Sequence, residues 1–372
     1  MAVADPHNDA HDAHDDHHDH GEFIAHHFDS AEQQFDSGKL GIWVFLVTEV
    51  LFFSGLFVAY ILYRNHHPEI FEQAHVFLDK WLGGLNTVVL LFSSLTMALA
   101  VRAAQMGQNK QVAKMVLATM VCAAVFLGVK AVEYSHKWDM GILPRSMFEK
   151  ETLANYLNTH AHPPQMIPGV SDWLVYLSAI PAILLIAFIV GGFVVKGMDK
   201  PILSKFLFGM AVTVGGYFLG AFGGYIYQAS VDASGGGHHA AITAPAKGPM
   251  VLLASTDEDP HEHEGEHTHA DGSTHSHEGH DDEHHGSSHG DQVKPEDFDR
   301  DIGIFFSIYY CMTGLHAIHI LGGIAALGWI FYRALAGHWR PDYFGPVDYV
   351  GLYWHLVDLI WIYLFPMLYL ID

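Results

Sequence analysis

The sequence predicts an all-α integral membrane protein with seven transmembrane helices, joined to His- and Asp-rich segments that cannot fold alone. Three observations predict it. Half of the 372 residues are apolar while the formal net charge is -23, a combination that calls for apolar spans attached to very acidic soluble segments. Seven apolar runs are each long enough to cross a ~30 Å hydrocarbon core at about 1.5 Å per residue. Within those runs the ionisable residues are few, and burying them is tolerable only if they meet partners.

Along the chain, residues 1–37 place His7, His11, His14, His17, His18, His20, His26 and His27 among aspartates, a composition expected to stay disordered. Residues 38–135 hold three runs, Leu40 to Leu62, Leu82 to Val101 and Met115 to Val132. Residues 136–228 hold a loop with Pro144, Pro163, Pro164 and Pro168, then two runs forming a hairpin, Trp173 to Val195 and Phe206 to Tyr227. Residues 229–300 are rich in Gly, His, Asp and Glu, with almost nothing apolar after Leu253, and bury too little to fold. Residues 301–372 hold the last two runs, Ile302 to Phe331 and Val347 to Ile371. All seven read as helices, because only a helix satisfies its own backbone inside a bilayer.

Arg102, Lys110 and Lys114, then Lys196, Lys200 and Lys205, then Arg333 and Arg340 fall on one side when every run spans. That side is expected to be the cytoplasm, with the amino terminus inside and Asp372 outside. The first thirty residues lack the basic and apolar regions of a signal peptide, so none is expected. Cys122 and Cys311 sit inside spans, where a thiol acts as a small hydrophobe.

Chemistry is expected from the polar residues inside the spans. Glu49 lies roughly 14 Å into the first run. Asn86 and Thr87 open the second run, and Glu133 ends the third beside Lys130 and Lys137. His316 and His319 share a face of the sixth, as do His355 and Asp358 in the seventh, three residues apart. One reading is a buried hydrogen-bond network with a protonatable Glu49, in which His355 and Asp358 lock the last helix against the helices carrying His316 and Glu49. The other is an intramembrane zinc or non-haem iron site built from the same residues. Gly216, Gly220 and Gly224 form a Gly-x-x-x-Gly stripe that allows a close helix contact. His261, His263, His267, His269, His275 and His277 offer weak copper, zinc or nickel binding, or else belong to a solvated spacer. No nucleic-acid partner is expected.

At these residues the chain resembles subunit III of the haem-copper oxidases. GIWVFLVTEVLFFSGLFVAY from Gly41 to Tyr60 is similar to that family's glutamate-bearing helix. Leu85-Asn86-Thr87 is similar to its next helix, and Glu133-Tyr134 to the Glu-Tyr or Glu-Trp pair that follows. YYCMTGLHAIH from Tyr309 to His319 resembles its Thr-Gly-x-His-Gly-x-His pattern with Ala317 at the second glycine, and LYWHLVDLIW from Leu352 to Trp361 resembles its last signature. The hairpin and the His-rich segment interrupt the family where a short loop is usual.

The resemblance implies an accessory subunit without haem or copper of its own, those cofactors lying in partner subunits. Subunits I and II and bound phospholipid would be its partners, with further respiratory subunits at the hairpin. It would support proton uptake and the durability of the catalytic subunit, with Glu49, His316, His319, His355 and Asp358 as proton-environment and structural residues and Glu133 fixing helix packing. A subunit of a quinol oxidase or a nitric oxide reductase keeps the same fold. A metal-ion transporter and a purely structural anchor are the readings from other classes.

Overall fold

The computed structural model describes residues 28, 30–144, 147–159, 166, 170–233 and 302–371. Most of the amino-terminal tail and all six candidate metal-binding histidines from His261 to His277 lie outside the described residues.

Helices α1 (Ala31–His66), α3 (Lys80–Gln105), α4 (Asn109–Asp139), α6 (Asp172–Gly197), α7 (Pro201–Ala233), α8 (Ile302–Leu335) and α9 (Gly345–Tyr369) are long and apolar enough to cross a membrane. All seven predicted spans are therefore present, longer at most ends than the apolar runs. Local chemistry sets those ends. The Ser30 hydroxyl caps α1 by accepting from Gln33 N at 3.2 Å, and Asp79 caps α3 by accepting from Trp81 N and Leu82 N at 2.9 and 3.1 Å, satisfying amides the helix cannot. Between α3 and α4 the chain reverses through Gly107, whose φ of +68° suits glycine best.

Two short helices were not legible as apolar runs. In α2 (Pro68–Ala74), Ile70, Phe71 and Ala74 are buried, and in α5 (Lys150–Thr159) Leu153, Ala154 and Tyr156 are. Each is too short to span, and each covers an end of the bundle with a few side chains.

The core lies between α3, α4, α8 and α9, with α4 packed against α3, α7 and α8. Helix α1 leans on α9 and α8 and leaves Leu51, Phe52 and Ile61 more than half exposed. The outward face of α6 leaves Ile180, Ile183 and Phe193 exposed in the same way. In a spanning helix such faces meet lipid.

The glycine stripe of α7 packs against α4 of the same chain. A Cβ on Gly216 would stand 3.0 Å from the Val121 carbonyl oxygen, one on Gly224 3.4 Å from Val132 Cβ, and one on Gly220 would overlap the Val125 carbonyl. Gly128 of α4 answers them, since its Cβ would overlap the Tyr217 carbonyl. The close contact is thus intramolecular and fastens the hairpin to the core, so the stripe itself is not free to dock another subunit.

Candidate functional site: polar layers inside the helix bundle

Helices α1 and α8 bring Glu49 and His319 together. Glu49 Oε2 lies 2.9 Å from His319 Nε2, with side-chain exposures of 18% and 16%. His319 Nδ1 lies 2.8 Å from the Leu315 carbonyl, which can only accept, so Nδ1 carries a hydrogen. Nε2 and the carboxyl then hold one shared proton, as imidazolium with carboxylate or as neutral imidazole with carboxylic acid. Tyr353 of α9 steadies this turn by donating to the His319 carbonyl at 2.9 Å, and the Phe53 ring packs edge-on at 5.1 Å.

The last helix binds elsewhere than expected. His355 Nδ1 lies 2.6 Å from Ser94 Oγ, and Ser93 Oγ donates to Asp358 Oδ2 at 3.4 Å while accepting from Trp354 Nε1 at 2.9 Å. Both partners are on α3, so His355 and Asp358 fasten α9 to that helix through two consecutive serines and not to the helices of His316 and Glu49. Ser93 and Ser94 were missed from sequence, although two adjacent hydroxyls at the centre of an apolar run are a signal.

At the far end of the same bundle, Glu133 gathers a buried charged cluster. Its carboxylate accepts from Lys130 at 2.7 Å and Lys137 at 2.9 Å, and from Tyr309 at 2.7 Å and Tyr369 at 2.6 Å. Lys130 also donates to the Tyr369 hydroxyl. All five side chains are buried. Spacings of three and four residues along α4 put the three charges on one face. The tyrosines come from α8 and α9, so Glu133 ties three helices together. Tyr369 carried no sequence signal beyond its place near the helix end.

His316 stands apart from His319, inside the core between Phe126 at 5.6 Å and Trp361 at 5.3 Å. The residues of the metal reading are therefore spread over three places. Among the described residues no group of three His, Cys, Asp or Glu side chains converges as ligands.

Removing Asp358 is expected to strip Ser93 of its acceptor and loosen α9, at a cost of about 1 to 3 kcal/mol. Asp358→Ala should then unfold at a lower temperature in detergent than Leu40→Ala, a change at an exposed position. Equal melting of the two would argue against the serine contact.

Seven apolar helices among the described residues, with the Glu49–His319 pair and the Glu133 cluster inside the bundle, define a multi-pass integral membrane protein. The chain belongs to the cytochrome c oxidase subunit III family, whose sequence pattern matches residues 14–141 and 296–372. The unmatched middle contains α6 and α7, so the hairpin and the His-rich segment are an insertion in that family's frame. The chain is 39% identical over 69 residues to cytochrome c oxidase subunit 3 of Thermostichus vulcanus, covering 18% of this chain and 34% of that one. It is 39% identical over 82 residues to cytochrome c oxidase subunit 3 of Synechocystis sp., covering 20% and 35%. It is 33% identical over 72 residues to heme-copper oxidase subunit I+III of Aeropyrum pernix, covering 19% and 9%. The matched stretches thus span about a third of the length of the two subunit 3 relatives. No solved structure matches the chain.

Proposed function

We propose that the chain is the accessory subunit III of a bacterial haem-copper terminal oxidase, in which oxygen reduction and proton pumping belong to the complex. It packs against catalytic subunit I beside subunit II and holds phospholipid, while haem and copper stay in the partners. The observation that carries this reading is the family match on both sides of the insertion. A relative named as a fusion of subunits I and III supports direct contact with subunit I. The distribution of Lys and Arg supports an amino terminus in the cytoplasm and a carboxy terminus in the periplasm.

The chemical contribution we assign is to proton uptake and to the lifetime of the catalytic centre, through Glu49 and His319. A pair holding one proton 2.9 Å apart is neutral overall and partly open toward the lipid face, so it can keep that proton inside hydrocarbon at low cost, and passing it on leaves a net negative charge that favours its prompt replacement. Glu49→Gln should assemble normally yet shorten turnover lifetime or slow proton uptake, and Glu49→Ala should also loosen α1 from α8. Wild-type initial rate, pumping ratio and inactivation half-life in both variants would remove this role.

Purification in mild detergent tests the assignment. Haem and copper should co-purify with the chain, and their visible spectrum should follow it through chromatography. Haem with non-haem iron would mean nitric oxide reduction, and recovery of the chain alone would remove the subunit reading. The His-rich segment serves in this proposal as a weak metal reservoir. Deleting residues 257–290 should leave activity intact in copper-replete cells and lower copper occupancy of the complex in copper-starved ones. Unchanged occupancy under starvation would leave a spacer.

A further inference from the structure

Where α9 meets α3, an imidazole opens on the outside of the bundle at the middle of the membrane. His355 stands ten residues from Gly345 and fourteen from Tyr369, roughly 15 and 21 Å from the two ends of its helix. Its contact Ser94, 2.6 Å away, stands fourteen residues from Lys80 and eleven from Gln105 in α3. Both lie near mid-helix. Both side chains are only half-buried, and the apolar residues a turn away on the same faces are open, Leu359 at 51% and Leu91 at 50% exposure.

The His355 ring is satisfied on one side only. Nδ1 has the Ser94 hydroxyl, while Nε2 has no partner among the described residues and is not one of the polar atoms sealed inside the bundle. Whichever tautomer the ring adopts, Nε2 is either an N–H donor or a lone-pair acceptor. Hydrocarbon offers it neither. Head groups lie about 15 Å away along the helix, beyond the reach of a side chain this short, and a polar residue left bare in lipid is costly.

We propose that this face of α3 and α9 is an intramembrane docking surface, occupied by a spanning helix of another oxidase subunit that bonds His355 Nε2 through a hydroxyl, amide or carboxyl side chain. The proposal rests on the reading of the chain as a subunit of a membrane complex. Hydrogen-bonding side chains join helices inside a bilayer, and small residues let the backbones approach. The face supplies both, because exposed Ala98 stands one turn beyond Ser94 while Leu91, Leu95 and Leu359 provide apolar packing around the ring. A lipid acyl chain would cover the same leucines and leave Nε2 unbonded. The outward face of α6, with Ile180, Ile183 and Phe193, has no such polar group among these exposed residues and meets lipid alone.

The test places the photoreactive residue benzoylphenylalanine at Leu359, and for comparison at Ile183, which is 67% exposed on α6. After illumination in native membranes, mass spectrometry of the purified complex should find Leu359 joined to a spanning segment of another subunit, within a turn or so of a hydrogen-bonding side chain, and Ile183 joined to lipid. His355→Leu should be retained in the complex several-fold less well than wild type through detergent washing, and His355→Gln, which returns a nitrogen near the place of Nε2, should be retained close to wild type. Adducts of Leu359 with lipid alone, or with a second copy of this chain, would overturn the proposal in a preparation that still holds haem and copper. So would equal retention of His355→Leu and wild type. Recovery of the chain without haem and copper would instead remove the subunit reading, and the proposal with it.

Discussion

Replacing Glu133 with alanine is expected to cost the bundle about 3 to 5 kcal/mol, the range for breaking a buried ion pair from one side. The carboxylate neutralises Lys130 and Lys137 at 2.7 and 2.9 Å where neither side chain reaches solvent. Without it, two ammonium groups stay buried together, and Tyr309 and Tyr369 lose an acceptor. Glu133→Gln should destabilise strongly as well, since it keeps the shape but not the charge. By contrast, Lys39→Ala should change little, because its 3.9 Å contact with Asp348 is 43% exposed on the lysine side. Thermal unfolding in detergent checks the order. A Glu133→Ala protein that melts with wild type would show that the cluster does not hold α4, α8 and α9 together.

Gly220→Leu is the second large effect. A side chain there has to enter space held by the Val125 backbone, and backbone cannot step aside as a flexible side chain can. Overpacking of this kind costs about 1 to 3 kcal/mol or more. The strain should be relieved by moving α7 and α6 away from α4 and leaving the α3, α4, α8 and α9 core folded. Cysteine cross-linking between α4 and α7 should fall sharply while contacts within the core persist. Unchanged cross-linking would mean that α7 does not sit on α4 through its glycines.

The spans were legible because hydrocarbon imposes one rule on every backbone group, and a long apolar run satisfies it in only one way. Helices α2 and α5 lie outside that rule and announce themselves only by a few buried side chains. The polar layers were legible as residue types and not as pairs. Three-residue spacing leaves about 60° between side chains at 3.6 residues per turn. His316 and His319 thus share a face loosely enough for one to enter the core and the other to reach α1. The same angle separates His355 from Asp358, which find neighbouring serines instead of each other. Which helix supplies a partner depends on packing order, and spacing along a single helix does not contain it. The glycine stripe likewise announced a close contact without saying that α4 was its target.

The measurement that tests the account most directly is catalysis by an oxidase complex stripped of this chain and then rebuilt. Steady-state oxygen consumption would be followed to inactivation for the stripped complex, for the complex rebuilt with the wild-type chain, and for the complex rebuilt with Glu49→Gln. The account predicts that the stripped complex keeps its haem and copper spectrum but inactivates after fewer turnovers, that the wild-type chain restores its lifetime, and that Glu49→Gln rebinds without restoring it fully. Equal turnover lifetimes with and without the chain would contradict it.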